Sequence, residues 1–405
     1  MNKSLREINA CEVCTSSTLE PVLNLGLHPM CDDLVKIGEN RICQKYPIEI
    51  LFCASCKTAH QRFQIPKELL FPKTYHYRSI NTEDVMLGLQ DLVMSCVQRL
   101  GDLNKKKVLD IGCNDGSLLG FFAQKGASTF GIEPTGACLD AQAAGNEVMC
   151  DYLTETSALA FVDKYGRPDL ICFTNVFAHI EDLAQVLRSL RILRHSSTYV
   201  IIENHYLGAV LKRGQFDTFY HEHPRTYSYS SFAKIAESMG MQIDLVQFPS
   251  RYGGNIRVLL KPQGADPVVH NKFNEITKSE ECFIDEFYAL AKRIEQWQKI
   301  KRAEVSEAVR LFGPLLAKAF PGRSAIPLNI LGIDETMISA VYEKPSSSKI
   351  GHLVPGTLIP ILSDATMLRD RSEGSPILNL AWHIKGEIKA YMENKGYQGE
   401  YIDII

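Results

Sequence analysis

The spacing of hydrophobic positions along this 405-residue chain predicts its secondary-structure elements. Short apolar runs predict strands at residues 108–111, 128–132, 147–150, 169–174 and 198–202. Two later runs, 242–246 and 256–260, predict an antiparallel pair. A glycine turn and a helix start follow the first strand, as in the first half of a doubly wound α/β sheet.

The last third of the chain has a different period. Apolar residues at three- and four-residue spacing predict a long amphipathic helix from 282 to 312, which Pro314 ends or kinks. Further apolar runs follow at 338–342, 358–362 and 377–381. They predict a second, smaller α/β domain that closes over a substrate.

The composition, with 45% hydrophobic and 22% charged residues, is that of a soluble globular protein. The net charge of -3 gives no attraction to nucleic acid or an anionic membrane, so we expect neither as a partner. No apolar run reaches the roughly 18 residues of a membrane span, and the polar N-terminus lacks the apolar h-region of a signal peptide, so we expect none. We therefore expect a cytoplasmic protein whose twelve cysteines are thiols and metal ligands rather than disulfides.

Two CxxC pairs lie near the N-terminus: Cys11 with Cys14, and Cys53 with Cys56. Each pair lets two thiolates reach one ion, and two pairs complete a closed tetrahedral site. A closed site has no open position for water or substrate, so we predict structural Zn²⁺ at these four cysteines. The metal would supply folding energy that this short segment cannot obtain from a core of its own.

The turn after the first strand runs from Gly112 to Gly116 and has the spacing G-x-x-x-G. It lacks the G-x-G-x-x-G pattern that seats a pyrophosphate, and the carboxylates of Asp110 and Asp115 would repel one. Those carboxylates suit a cation with an ammonium group, which describes S-adenosylmethionine. Glu133, which ends the next strand, can accept both ribose hydroxyls. The predicted cofactor-binding residues are Asp110, Gly112, Asn114, Asp115, Gly116, Glu133, Pro134 and Asn175.

Histidines are concentrated in three segments around the ends of the fourth and fifth strands: Asn175–His179, Glu203–Tyr206 and Phe216–Tyr227. Methylation of a carbon next to a ketone needs a base for the C–H proton and donors for the enolate oxygen. A histidine beside a carboxylate suits the first task, and tyrosines with a second histidine suit the other. Two other interpretations are open: a metal site in His221-Glu222-His223, or satisfied polar side chains at a loop.

At these residues the sequence resembles the sugar C-3-methyltransferases of deoxysugar and antibiotic biosynthesis. The resemblance covers nearly the whole chain, including both CxxC pairs and the glycine turn, and its most specific match is the string from Tyr220 to His223. The other matching segments are Pro29–Leu34, Tyr75–Ser79, Gly131–Pro134, Asn175–His179, Pro355–Pro360 and Ala381–His383.

The resemblance implies an α/β fold in which a class I methyltransferase sheet, doubly wound, carries a small N-terminal zinc module and a C-terminal Rossmann-like α/β domain. We place these parts at residues 1–75 (zinc module), 76–265 (cofactor domain) and 266–405 (connector helix and substrate domain). The family methylates C3 of a nucleotide-linked 4-keto-6-deoxysugar through an enolate, with S-adenosylmethionine as methyl donor. The implied partner is thus a small-molecule nucleotide-sugar.

The family's residue roles transfer to positions in this chain. His223 is the implied base, and the implied sugar-binding and enolate-stabilising residues are Tyr220, Glu222, His179 and Tyr77, which we prefer to Tyr75. The chain departs from the family in three segments. Tyr252–Asn255 stands in place of a His-Gly-Gly-Ser string, Arg225–Tyr227 replaces a more aromatic run, and Ala319–Pro327 shortens a glycine-rich, lysine-bearing loop.

Other functional classes remain open from the residues alone. One is a methyltransferase that acts on oxygen or nitrogen of another small metabolite. A zinc-ribbon protein that binds a macromolecular partner is a different class. An NAD oxidoreductase is disfavoured because the central glycine of its fingerprint is missing.

Overall fold

A computed structural model describes residues 5–73, 75, 77–264 and 271–405. By contact density the chain divides into two compact units. The first unit contains the residues up to Glu20, Leu51–Val210 and Glu222–Ile284, and the second contains Pro21–Ile50, Leu211–His221 and Asp285–Ile405. The predicted three-part boundaries stay a prediction, and the one at 265/266 lies outside the described residues.

The elements are numbered in chain order. The strands are β1 Arg6–Glu7, β2 Glu20–Pro29, β3 Val35–Lys36, β4 Lys45–Cys53, β5 Thr58–Gln61, β6 Phe63–Gln64, β7 Lys107–Ile111, β8 Ser128–Ile132, β9 Glu147–Met149, β10 Leu170–Thr174, β11 Tyr199–His205, β12 Arg225–Thr226, β13 Met241–Gln247, β14 Asn255–Pro262, β15 Leu315–Lys318, β16 Ile338–Glu343, β17 His352–Leu353, β18 Ile361–Ser363, β19 Ile377–Asn379 and β20 Tyr401–Asp403. The helices are α1 Lys67–Leu70, α2 Glu83–Leu100, α3 Ser117–Ala123, α4 Ala137–Ala143, α5 Glu155–Tyr165, α6 Leu183–Leu193, α7 Leu207–Arg213, α8 Tyr229–Ser238, α9 Asn271–Ser279, α10 Phe283–Phe312, α11 Ala325–Leu331, α12 Met367–Asp370 and α13 Lys385–Asn394.

The described part of the first unit is built on a seven-stranded sheet in the order β13-β14-β11-β10-β7-β8-β9. Strands β7 to β11 run parallel, and β14 is antiparallel to both β11 and β13. This order, with the first strand in the middle, is that of the class I methyltransferase sheet, so the predicted fold is confirmed. Strands β8 and β9 are added on one side of β7, and β10 and β11 on the other, so the strand order reverses between β7 and β10. In sheets of this kind ligands bind at that position, at the carboxyl ends of the strands.

The predicted strands of this sheet agree closely with the structure. The second, at 128–132, has the observed bounds of β8, and the antiparallel pair is present as β13 and β14. The fifth strand is longer than predicted: β11 extends to His205, so Glu203–His205 lie inside the strand rather than after it. Buried apolar side chains cover both faces of the sheet, with Leu109, Phe173 and Ile202 in one core cluster and Val108, Cys172 and Ile201 in another.

The described part of the second unit contains a five-stranded parallel sheet in the order β18-β16-β15-β19-β20. Strand β15, the first of this sheet in the chain, is central. Strands β16 and β18 lie on one side of it, and β19 and β20 on the other, which is the Rossmann-like arrangement predicted for this part. Helix α10 has nearly the predicted bounds. Strand β15 was not predicted, and residues 358–362 form a strand only from Ile361.

The cysteine prediction needs one correction. Cys138, in α4, and Cys150, just after β9, form a disulfide with their Cα atoms 5.6 Å apart, so the expectation of thiols is wrong for this pair. The other cysteines are thiols. Within the residues described, none of the helices combines the length and the hydrophobicity needed to cross a bilayer.

Candidate active site

The glycine turn after β7 forms a cradle in which a Cβ atom would not fit. Gly112 has φ +69°, and a Cβ built on it would lie 2.6 and 2.7 Å from the two γ-carbons of Val176. Asp110, which lies before the turn in β7, is only 3% exposed. Among the described residues its Oδ1 atom has no hydrogen-bond partner. Burial, and to a lesser extent Glu133, raises the pKa of Asp110 well above its ordinary value. A positively charged ligand would relieve this carboxyl group, so the cradle fits S-adenosylmethionine.

Glu133 lies at the carboxyl end of β8 and is 4% exposed. Its Oε1 accepts hydrogen bonds from the amide (2.8 Å) and hydroxyl (2.6 Å) of Thr135, and its Oε2 accepts one from the Asn114 amide at 3.0 Å. Three protein donors therefore occupy three of roughly four lone-pair sites on this carboxylate. For Glu133 to accept both ribose hydroxyls, as predicted, the Thr135 hydroxyl would have to release it. Pro134 is partly buried beside it.

The other acidic residue of the turn has a structural partner. Asp115 Oδ1 accepts from the amide (3.1 Å) and hydroxyl (2.5 Å) of Ser117 at the start of α3, and its Oδ2 accepts from the Ile80 amide at 2.9 Å. Asn114 accepts from the Ser79 amide and donates to the Tyr77 carbonyl. The segment 77–80 is thus fastened to the turn, and the carboxylate that retains an unpaired oxygen is Asp110.

Asn175 follows β10 and adopts a left-handed backbone, with φ +54°. Its amide donates to the Glu203 carbonyl at 2.7 Å, and its side-chain oxygen accepts from Asn255 at 3.2 Å. Glu203 is fully buried, and its carboxylate binds both Arg251 and Arg257. This network fixes the loop that carries Val176 onto the glycine turn.

The imidazole rings of His179, His205 and His223 lie close together. The ring centroids of His179 and His223 are 4.7 Å apart, and those of His205 and His223 are 5.2 Å apart. His179 follows Val176 by three residues, so the chain that touches Gly112 also reaches His223. The predicted pair His179 and His223 is therefore brought together, and His205, at the end of β11, is added to it.

The protonation state of His179 follows from its surroundings. Burial lowers its pKa to about 4, so the ring is neutral at neutral pH. Its Nδ1 lies 2.8 Å from the carbonyl oxygen of Glu222, which can only accept, so Nδ1 carries the proton. The Nε2 atom of this neutral ring is consequently an acceptor. The enolate-stabilising role that the resemblance implies for His179 stays a prediction.

Tyr75, the alternative to the preferred Tyr77, contacts Glu222, and the role of Tyr77 stays a prediction. The Tyr75 hydroxyl donates to Glu222 Oε2 at 3.3 Å, and Phe71 contacts the Tyr75 and His179 rings edge-on. Tyr77 is 41% exposed. Nothing in the sequence separates two tyrosines that lie two positions apart in an irregular segment.

Two members of the Tyr-His-Glu-His string belong to the second unit. Tyr220 is partly buried there, and its catalytic role stays a prediction. His221 Nε2 lies 3.2 Å from the Tyr46 carbonyl, and burial lowers its pKa to about 4. Within the described residues His221 and His223 are not part of any cluster that could hold a metal ion. The alternative of an H-x-H metal site is therefore not supported.

The four predicted zinc ligands do come together. All four sulfur atoms lie within 4.8 Å of one another, with 3.4 Å between Cys11 and Cys56 and 3.5 Å between Cys14 and Cys53. A tetrahedron with metal–sulfur bonds of about 2.3 Å has edges of about 3.8 Å, so this all-thiolate set fits Zn²⁺. Cys11, Cys53 and Cys56 are buried and Cys14 is partly buried, as expected of a closed structural site.

Comparison with known protein families agrees with the cofactor cradle and the four-cysteine site. The "Methyltransferase domain" family matches residues 87–246, the "C-methyltransferase C-terminal domain" family matches 250–403, and a zinc binding domain family matches 11–71. The chain is therefore an S-adenosylmethionine-dependent methyltransferase with an N-terminal zinc-binding domain.

Individual relatives include both C- and O-methyltransferases. The chain is 26% identical to the C-methyltransferase NovU of Streptomyces niveus over 409 aligned residues, covering 98% of this chain and 96% of that protein. It is 27% identical to the ubiquinone biosynthesis O-methyltransferase of Nitrosomonas europaea, over 35% of this chain and 66% of that protein. The chain is thus similar to a C-methyltransferase over its full length, and its residues 250–403 match a C-methyltransferase domain family.

Among solved structures, the PH0226 protein of Pyrococcus horikoshii matches 48% of this chain and 98% of its own, with 15% identity and a TM-score of 0.36. The magnesium protoporphyrin IX methyltransferase of Synechocystis, solved with bound S-adenosylhomocysteine, matches 44% of this chain and 84% of its own, with 17% identity and a TM-score of 0.35.

Proposed function

We propose that this enzyme methylates C3 of a nucleotide-linked 4-keto-deoxysugar through an enolate, with His223 as the base. The observation that carries the proposal is the position of His223 between His179 and His205, on the chain segments that adjoin the cofactor cradle. The similarity to a C-methyltransferase over the full chain supports the choice of carbon as methyl acceptor.

The surroundings of His223 suit proton abstraction. S-adenosylmethionine, when bound, supplies an electrophilic methyl group. His223 would take the proton from the carbon next to the ketone, and the C–H electron pair would become the enolate. That carbon then forms a bond to the methyl group as the methyl–sulfur bond breaks, which leaves S-adenosylhomocysteine. His179, neutral and accepting at Nε2, would hold an N–H of the His223 ring so that its other nitrogen faces the substrate.

Glu222 and Tyr75 have supporting roles in this proposal. The Glu222 carbonyl fixes the tautomer of His179, and its carboxylate accepts the Tyr75 hydroxyl. Tyr220 is the first candidate donor to the enolate oxygen, as the resemblance implies. Electrostatic stabilisation of an enolate by one such donor is typically about 100-fold or more in kcat.

The test uses the purified enzyme, a 4-keto-6-deoxy nucleotide-sugar and deuterated buffer. We expect deuterium to enter C3 without methyl donor, and a C3-methyl product to form with it. His223→Gln should lose both by about 100- to 10,000-fold, the usual contribution of a general base. Full activity of His223→Gln would refute the base assignment, and an O-methylated product without C3 exchange would refute C-methylation.

A matched control is available in the same unit. His195 lies in the turn before β11, at the amino edge of the sheet, and its side chain is 34% exposed. His195→Gln should keep both exchange and methylation within about twofold, because surface substitutions away from a site have small effects.

A further inference from the structure

The zinc-binding cysteines and the segment that carries His223 are joined by a buried ion pair. Glu12 lies between Cys11 and Cys14, and Arg225 lies two residues after His223. The Arg225 guanidinium is fully buried and binds the Glu12 carboxylate, whose side chain is 14% exposed. These residues are 213 positions apart in sequence, so the pair is a tertiary link.

Arg225 has no other carboxylate partner in the described contacts. Its Nε donates to the Tyr227 hydroxyl at 2.9 Å, and its Nη atoms lie 3.3 Å from the Glu181 carbonyl. Glu12 also accepts from Gln64 at 2.9 Å. A buried guanidinium needs a paired charge, because breaking such a pair leaves an uncompensated charge in a medium of low dielectric constant. The Glu12 carboxylate supplies that charge, and it also pairs with Arg6, whose side chain is far more exposed than that of Arg225.

Backbone pairing reinforces the link. Strand β5 begins two residues after Cys56 and pairs antiparallel with β12, with Arg225 opposite His60 and Thr226 opposite Ala59. The Gln61 amide donates to the Pro224 carbonyl at 2.8 Å. The Ser231 hydroxyl, part of the cap of α8, donates to the Cys56 carbonyl at 3.2 Å. The chain on the C-terminal side of His223 is thus held by the second cysteine pair as well as the first.

We infer that Glu12 and Arg225 are positioning residues through which metal occupancy of the four-cysteine site sets the orientation of His223. The metal would touch neither substrate nor cofactor. With the cysteines bound to one ion, Glu12 and β5 occupy fixed positions, and the segment 223–231 is held between them and the sheet. Without the ion, both cysteine pairs lose their common anchor, and the segment gains freedom while the cofactor cradle keeps its own contacts. The inference rests on the proposed role of His223.

The first measurement does not depend on any reaction. Amide hydrogen exchange of the full chain is followed before and after the zinc is removed by chelation. We expect exchange in residues 223–231 to rise about tenfold or more, while that of β7 and the glycine turn changes little. Equal protection of 223–231 with and without zinc would overturn the inference, whatever the substrate proves to be.

The second measurement uses substitutions in zinc-loaded enzyme. Glu12→Gln keeps the shape of the side chain and removes its charge, and Arg225→Lys keeps the charge and removes the planar fork. Each should retain one zinc per chain and the affinity for S-adenosylmethionine, with kcat about 10- to 100-fold lower, since a displacement of about 1 Å can cost that much. Both should show raised amide exchange in 223–231 with the metal bound.

The matched control is Glu7→Gln in the same module. Glu7 pairs with Arg62 at 2.9 Å, but both side chains are exposed, at 45% and 40%, so the pair contributes little. Wild-type kcat and exchange in either zinc-loaded variant would overturn the inference. So would loss of zinc from both variants, because the pair would then serve the metal module and not the His223 segment. If the C-methylation proposal fails but exchange still follows zinc, the coupling stands and the base assignment falls.

Discussion

The tyrosine that contacts Glu222 is open to a direct test by the pair Tyr75→Phe and Tyr77→Phe. The Tyr75 hydroxyl donates to Glu222 Oε2 at 3.3 Å, and its ring lies 5.5 Å from that of Phe71 in an edge-on contact. Phenylalanine keeps the ring contact and removes only the hydroxyl. The Tyr77 contacts to Asn114 and Arg78 use its backbone carbonyl, which the substitution leaves in place.

The expected loss follows from the geometry of the bond. A hydrogen bond to a charged acceptor contributes about 1.5–3 kcal/mol. At 3.3 Å the Tyr75–Glu222 bond is longer than the usual O–H···O distance of about 2.7 Å, so the lower end of that range applies. A loss of about 1.4 kcal/mol corresponds to a tenfold fall in kcat/KM. Tyr77→Phe is the comparison variant and should lose less than Tyr75→Phe, because the contact with the Glu222 carboxylate belongs to Tyr75.

The assay is the steady-state rate of methyl transfer at several substrate concentrations, with the deuterium exchange rate measured in parallel. Tyr75→Phe should slow both, since Glu222 also fixes the tautomer of His179 through its carbonyl. The reasoning fails if Tyr77→Phe loses tenfold while Tyr75→Phe is unaffected. That result would support Tyr77, the tyrosine preferred from the sequence.

Two further predictions concern the cofactor cradle. Because burial raises the pKa of Asp110 above its ordinary value of 3.8, a cationic cofactor must displace a proton, so affinity for S-adenosylmethionine should rise with pH through the raised pKa. Calorimetry of Asp110→Asn should show no such dependence. In the wild-type apoenzyme, the stability that protonated Asp110 contributes is fully present below pH 3.8. It should be lost as pH rises through the folded-state pKa, which thermal unfolding at several pH values would measure. Gly112→Ala should destabilise by about 2–4 kcal/mol in urea unfolding, from the left-handed backbone and the contact with Val176, and a wild-type midpoint would contradict this. Gly101→Ala is its control for backbone strain alone, since Gly101 has φ +79° and ψ -142° but no atom within 4 Å of the added Cβ, and we expect a loss of about 1–3 kcal/mol.

The parts of the molecule that the sequence predicts well are those encoded by local spacing. Two CxxC pairs define a tetrahedral site without reference to the rest of the chain, and the four sulfur atoms do converge. The glycine turn and its flanking strand are equally local, and β7 and β8 have nearly their predicted bounds. In each case the chemistry lies within a few residues, so neighbours in sequence are neighbours in space.

The parts that sequence reasoning missed depend on which strands lie side by side. His205 reaches His223 because β11 lies next to β10 and its last residue is still in the sheet. Arg225 meets Glu12 because β12 pairs with β5. The fifth strand was predicted to end at residue 202, which moved His205 into a loop. A charged residue inside a CxxC pair was the one available signal for the Glu12 link, and by itself it does not identify a partner.

Two buried carboxyl groups near the carboxyl edge of the sheet differ in the partners that the chain supplies. Glu203, at the end of β11, is fully buried and is satisfied by Arg251, Arg257 and Asn255. Asp110, at the end of β7, is almost as buried, yet among the described residues its Oδ1 has no partner. A structural carboxylate is neutralised by the chain itself, because an unpaired buried charge is costly. Asp110, which the chain leaves without a partner at Oδ1 beside the glycine turn, instead keeps its proton more readily, and a bound cationic cofactor would favour its ionised form.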